Sequence, residues 1–177
     1  IGSTKNFEKK YGLKYLIKAF YLLSKKYSNI KLLLIGKGSK KNNYKALIKK
    51  YHIENKTKII NHVEHSNLPS LLKKIDIFVM PSIFEEFGVA ALEAASMGIP
   101  TIASNCGGIK EVVRNNKSGF LIEPKNISQI VKYTSKLIES HELREMMGDY
   151  ARNFVLNNYQ WDDNVSLKES IYIKYYS

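Results

Sequence analysis

Two carboxylates separated by seven residues, Glu85 and Glu93, lie in the stretch PSIFEEFGVAALEAASMGIPTIASNCGG at residues 81–108. Between them a turn, Phe87-Gly88, gives way to a helical run beginning Val89-Ala90-Ala91-Leu92. Met97-Gly98 closes that run, because glycine accepts the left-handed conformation that ends helices. The spacing predicts one acid in the loop before a helix N-terminus and the other inside the helix, about two turns on. A helix N-terminus attracts phosphate, since its first amides are unpaired and its dipole is positive there. Acids beside such a site cannot serve the phosphate; they suit hydroxyls, such as those of a ribose or a hexose. Glu93 has Ala91, Leu92, Ala94 and Ala95 around it, which read as buried, so its carboxylate needs a partner. Gly88 lets a ligand approach the backbone closely.

Other chemistries find less support. His62 and His65 are close in sequence but have no third ligand, so they read as surface histidines and no metal site is expected. Cys106 is the sole cysteine, which excludes an internal disulfide and fits a reducing compartment. Gly36 and Gly38 form an incomplete phosphate-loop pattern that a tight strand-to-loop turn explains equally well. Asp162-Asp163 after Trp161 reads as helix capping. Nucleophile elbows and serine–histidine pairs are absent.

The elements that must position these residues alternate between apolar runs and amphipathic stretches. Strands are expected at Ile1-Gly2-Ser3, Lys31 to Ile35, Lys58 to Ile60, Asp76 to Met80, Pro100 to Ser104 and Gly119 to Ile122. Helices are expected over Leu13 to Tyr27, Asn42 to Tyr51, Asn67 to Lys73 and the run after Gly88, with a further one after Gly107-Gly108. From Ile127 onward the chain reads as helical over about 127–139 and 141–157, and again over 162–177. Strands alternating with helices imply an α/β fold: a doubly wound, mostly parallel, six-stranded Rossmann-like sheet with helices on both faces. Ligands of such sheets lie beyond the strand C-terminal ends, where the strand order reverses. The loops at those ends are Lys5 to Lys10, Gly36 to Ser39, Val63 to His65, Pro81 to Gly88 and Ser104 to Gly108.

At 177 residues and 44% hydrophobic content the chain fits one domain with a substantial core. Ile1-Gly2 reads as the tail of a strand, so the chain is expected to be a piece of a longer protein. It shows neither a signal peptide nor an apolar run of transmembrane length. The formal charge of +12 is almost entirely lysine, with arginine only at 114, 144 and 152. Forks to bases and phosphates usually employ arginine, so nucleic acid is not an expected partner. The lysines read as a solvated surface spread over several helices. A weak peripheral attraction to an anionic membrane is the second reading, with a cytoplasmic location or the inner face of the membrane.

In register, the motifs resemble the C-terminal, donor-binding domain of retaining glycosyltransferases of family 4, or group 1, which have the two-domain GT-B fold. They are Lys5, Lys10 and Gly12; Leu34-Ile35-Gly36-Lys37-Gly38; Asp76 to Ser82; Glu85-x7-Glu93; Gly98-Ile99-Pro100; Gly107-Gly108-x-x-Glu111; Gly119-Phe120-Leu121; and Tyr159-x-Trp161. The resemblance implies that residues 1–177 are the nucleotide-sugar half of an enzyme whose N-terminal acceptor domain lies outside this chain. The donor would be a nucleoside-diphosphate sugar acting as co-substrate, with no other cofactor. Glu85 would contact the sugar and support the reacting centre, and Glu93 would accept hydrogen bonds from the ribose. The amides of Phe87, Gly88 and Val89 would serve sugar and diphosphate. Lys5 and Lys10, with Lys9 as an alternative to Lys10, would neutralise the departing diphosphate. Gly36 would lie at the phosphates and Val63 at the base, while Glu86 reads as a solvated loop acid and Glu111 as structural. The resemblance implies transfer of a sugar to an acceptor hydroxyl with retained configuration, in surface polysaccharide or glycolipid synthesis. The isolated fragment would be inactive. A non-catalytic nucleotide-sugar module and a GT-B-fold epimerase share the same motifs.

Overall fold

The computed structural model describes the backbone of residues 1–61 and 63–176, without the side chains at 161–164, 167 and 174–176. Six strands form one sheet: β1 (Gly2–Thr4), β2 (Leu32–Ile35), β3 (Thr57–Ile60), β4 (Phe78–Met80), β5 (Thr101–Ser104) and β6 (Gly119–Ile122). Every registered pair is parallel and the order is β3-β2-β1-β4-β5-β6. The chain winds outward from β1 to one edge, returns, and winds outward from β4 to the other. The order therefore reverses between β1 and β4, which is where a doubly wound sheet opens a crevice. Those two strands share a single registered pair, Gly2 with Phe78, whereas the other neighbours share three or four.

Two apolar layers flank the sheet. One is built by α1 (Leu13–Lys26), α2 (Lys41–Lys50) and α6 (Ile127–Glu139), with α1 packed between the other two. The buried stripe of α1 is Leu13, Leu16, Ile17, Phe20 and Leu23, the 3-4 spacing of one helix face. Emptying such a site, as in Phe20→Ala, costs about 3–5 kcal/mol. The opposite layer holds α3 (Leu68–Leu72), α4 (Val89–Ser96) and α5 (Ile109–Val112) around Phe78, Met80 and Ala103. Helix α7 (His141–Asn158) packs on α4, and α8 (Trp161–Tyr176) follows it.

The sequence boundaries need correction at three points. Strand β4 is shorter than Asp76 to Met80, beginning at Phe78. Helix α4 starts at Val89, so Glu93 lies one turn into it, not two. The four residues before Val89 are loop because Gly88 takes φ 105°, a left-handed conformation that breaks helical continuation. Helix α8 begins at Trp161, which puts Asp162 and Asp163 within its first turn rather than at its cap; their side chains lie outside the described residues, as does His62.

Candidate functional site

Strand β1 ends at Thr4, so Lys5 emerges at the crevice. Its ammonium lies 2.5 Å from Oε2 of Glu85, and both side chains are about nine-tenths buried. The buried Ser82 hydroxyl donates to the same carboxylate oxygen at 3.2 Å. Glu85 is thus held by a cation from the first loop and a hydroxyl from its own. The Tyr11 ring carries two cations, with Lys5 Nζ 4.7 Å and Lys10 Nζ 5.1 Å from its centroid. Lys10, and not its neighbour Lys9, is the lysine that shares the Tyr11 ring with Lys5.

These loops brace one another through backbone contacts. The Lys10 carbonyl accepts from the amides of Ile83 and Phe84, at 2.7 and 3.3 Å. Phe7 donates to the Lys37 carbonyl and accepts from the Lys40 amide, both at 2.8 Å. The Glu8 carboxylate accepts from the amide and hydroxyl of Ser39, each at 2.7 Å, which holds its pKa below the ordinary value of 4.5. Gly36 has no room for a side chain, since a Cβ there would run into the Lys5 carbonyl. The glycine loop therefore seats the lysine loop, and Gly36 is placed beside Lys5 by packing.

The first amides of α4, at Val89 and Ala90, have no residue four positions back in the helix to accept from them, and they face the crevice end. A Cβ on Gly88 would collide with Ile109 Cδ1. The Phe87 ring meets Tyr159 edge-on at 6.1 Å. Val89 is 58% exposed. Glu93 is half-buried and lies 3.6 Å from His65, a residue of the β3–α3 connection. Burial pushes the Glu93 carboxyl upward, and the His65 and Lys5 charges pull it back only in part. Val63 is half-buried in that same connection. Glu86 is exposed, and its carbonyl accepts from the Gly108 amide at 2.9 Å. The carbonyl of Glu111 accepts from the Tyr159 hydroxyl at 3.1 Å.

The arrangement also contains residues to which the sequence reading gave no place in the site: Ser82, Tyr11, His65 and Cys106. Burial and the neighbouring Glu85 push the Cys106 thiol up, against the pull of Lys5, so it stays protonated and donates to the Ser82 carbonyl at 3.5 Å. The hydroxyls of Ser3, Thr4 and Ser104 are buried without a protein partner, on β1 and at the C-terminal end of β5. Such atoms normally find water or a ligand. Among the described residues no cluster could hold a metal ion. A cavity of about 680 Å³ lies elsewhere, at the strand N-terminal ends beside Lys31, Lys58, Asp76 and Arg144, and includes none of these groups.

A crevice with buried lysine–carboxylate pairing, a helix N-terminus and a second acid one turn in can hold an anion flanked by hydroxyls. Comparison with known proteins gives the same direction. The family model described as glycosyl transferases group 1 matches residues 1–154. The chain belongs to the group 1 glycosyl transferases. It is 29% identical over 180 residues to the capsular polysaccharide biosynthesis glycosyltransferase CapM of Staphylococcus aureus, covering 96% of this chain and 47% of CapM. The crystal structure of the C-terminal domain of the group 1 protein LpcC from Francisella tularensis superposes with a TM-score of 0.83. There the identity is 28%, over 90% of this chain and 85% of that one. Anabaena HepE, solved with UDP-glucose, shares the fold with a TM-score of 0.88 at 21% identity, over 96% of this chain and 47% of HepE. This group 1 domain spans less than half the length of the curated relatives it matches. No described helix is long and apolar enough to cross a membrane.

Proposed function

We propose that this chain is the donor-binding half of a retaining GT-B glycosyltransferase. It would move a sugar from a nucleoside diphosphate to an acceptor hydroxyl in surface polysaccharide or glycolipid synthesis. The observation that carries the reading is the convergence of Lys5, Glu85 and Glu93 on the N-terminus of α4 at the sheet's reversal point. In this reading the diphosphate lies at the first amides of α4, where the helix dipole favours its charge. Lys5 and Lys10 stabilise the charge that grows as the diphosphate departs, an electrostatic strategy that needs no bound metal. Lys5 already has a carboxylate partner, so the diphosphate must compete with Glu85 for it. Once Lys5 turns to phosphate, Glu85 is free to accept from sugar hydroxyls. Glu93 accepts from the ribose, which relieves its desolvated carboxylate. The HepE complex with UDP-glucose and the CapM function support a nucleotide sugar and a polysaccharide product. The acceptor and the partner GT-B domain lie outside this chain.

The test is calorimetric titration of the chain with UDP-, GDP- and ADP-sugars. One of them is expected to bind, and Glu93→Gln to weaken it about 10–100-fold through loss of a charge-assisted hydrogen bond. Unchanged nucleotide affinity in that variant would sink the ribose assignment. A non-catalytic module shares the crevice; sugar transfer by the full-length protein, lost on Glu85→Gln, separates the two.

A further inference from the structure

The lysines that the sequence scatters over several helices are gathered by the fold onto one side of the sheet. Helices α1, α2 and α6 carry ten lysines against one acid, Glu139, and that acid is already paired with Lys26 at 2.7 Å. On the opposite side, α3, α4 and α5 carry one lysine, Lys110, against Glu93 and Glu111, and α7, which packs on both α4 and α6, carries Glu142, Glu145 and Asp149 against Arg144 and Arg152. Composition alone would load both layers alike. The lysines also follow stripes: Lys14 and Lys18 along α1, and Lys41, Lys45 and Lys49 along α2, with steps of four that keep them on the outer face. Leu22, 46% exposed, continues the α1 stripe, and Lys25 follows it. Tyr21 and Tyr51 stack at 4.6 Å, and Lys25 lies 4.5 Å from the Tyr21 ring.

We infer that this layer is the face by which the domain docks, peripherally, on an anionic lipid bilayer. Charge complementarity selects an anionic partner, and a broad helical layer presents its lysines together to a flat surface. Lysine stems run along apolar surface while their ammoniums reach headgroups, and tyrosine with leucine between them suits the interfacial zone. Nucleic acid is disfavoured because α1, α2 and α6 carry no arginine, and Arg144, the one that reaches α6, is turned onto the Leu137 and Ile138 carbonyls at its end. The crevice lies at the strand ends, in the plane of the sheet, so docking by this face leaves it open.

Flotation of the chain with vesicles tests the assignment; the related LpcC domain crystallises as an isolated domain. Binding is expected to phosphatidylcholine vesicles containing about 30% phosphatidylglycerol at about 0.1 M salt, and to fall steeply at about 0.5 M. The layer variant Lys14→Glu/Lys18→Glu/Lys45→Glu/Lys49→Glu should lose partitioning on the order of a hundredfold, and the same four changed to arginine should retain it. A control of equal charge change, Lys31→Glu/Lys73→Glu/Lys74→Glu/Lys110→Glu, should lose much less. Thermal melts confirm that each variant folds. Equal losses in both reversal variants would overturn the inference. So would failure of the parent chain to bind anionic vesicles, or equally tight binding to a single-stranded oligonucleotide.

Discussion

Replacing Lys5 by methionine removes one member of a buried ion pair and leaves the Glu85 carboxylate, among the described residues, with the Ser82 hydroxyl. Both side chains are about nine-tenths buried, so solvent screening does little to soften the loss. Breaking such a pair from one side costs about 3–5 kcal/mol, most of it the penalty of an uncompensated charge. For a chain of this size each kcal/mol moves the melting temperature about 2–4 °C, so Lys5→Met should melt about 6–20 °C below the parent. Replacing both partners at once, Lys5→Met with Glu85→Gln, removes the charge and keeps the shape. That double variant should return to within about 4 °C of the parent, because a buried pair is near-neutral against isosteric uncharged groups. The assay is a double-mutant cycle by calorimetric or circular-dichroism melting, run without ligand. A Lys5→Met melt close to the parent's, or a double variant as unstable as the two singles summed, would show that the two groups are not coupled in the folded domain.

Glu8 is held below its ordinary carboxyl value by Ser39, so the stability it contributes is present above about pH 4.5 and lost as pH falls through its lower folded value. Glu8→Gln should flatten that acid limb in a series of melts from neutral pH downward, and an unchanged limb would assign it to other carboxylates. Gly88→Ala places a side chain at φ 105° and against Ile109, which should cost about 1–2 kcal/mol from the backbone alone. The expected drop of about 2–8 °C on melting should come with loss of nucleotide binding in calorimetry.

Much of the architecture was legible because parallel strands buried on both faces read as continuous apolar runs, as in Leu32 to Ile35 and Phe78 to Met80. Gly98 marked the end of α4 correctly, with φ 70° just beyond the helix. The start of α4 at Val89 was legible from the Phe87-Gly88 turn, but Glu93 was placed a turn too deep, because its two-turn separation is measured from Glu85, which lies in the loop and not in the helix. Lys5, Glu85 and Glu93 were singled out by motif order, but their contact was not legible. It depends on β1 and β4 becoming neighbours, which no local pattern encodes. His65 was set aside as a surface histidine, as its exposure bears out; its approach to Glu93 comes from the same side-by-side packing of loops. The lysines looked dispersed for a related reason: helices distant in sequence share a layer only once the crossovers are made.

The single registered pair between β1 and β4 has a consequence for how the domain forms. As the chain leaves the ribosome, β1 can pair with β2 soon after Ile35 appears, but its other edge waits for Phe78. Until then a central strand is an open edge, the kind of surface through which chains associate wrongly. When β4 arrives it meets β1 at Gly2 alone, so the seam that makes the crevice is a long-range closure secured by few ladder bonds. Within the sheet, ladder opening should therefore begin at that seam, with amide exchange there faster than along β2–β3 or β5–β6, while α1 packed on α6 still joins the two halves. A ligand bridging Lys5 on one half and α4 on the other would act as a staple across it, slowing exchange on both sides together.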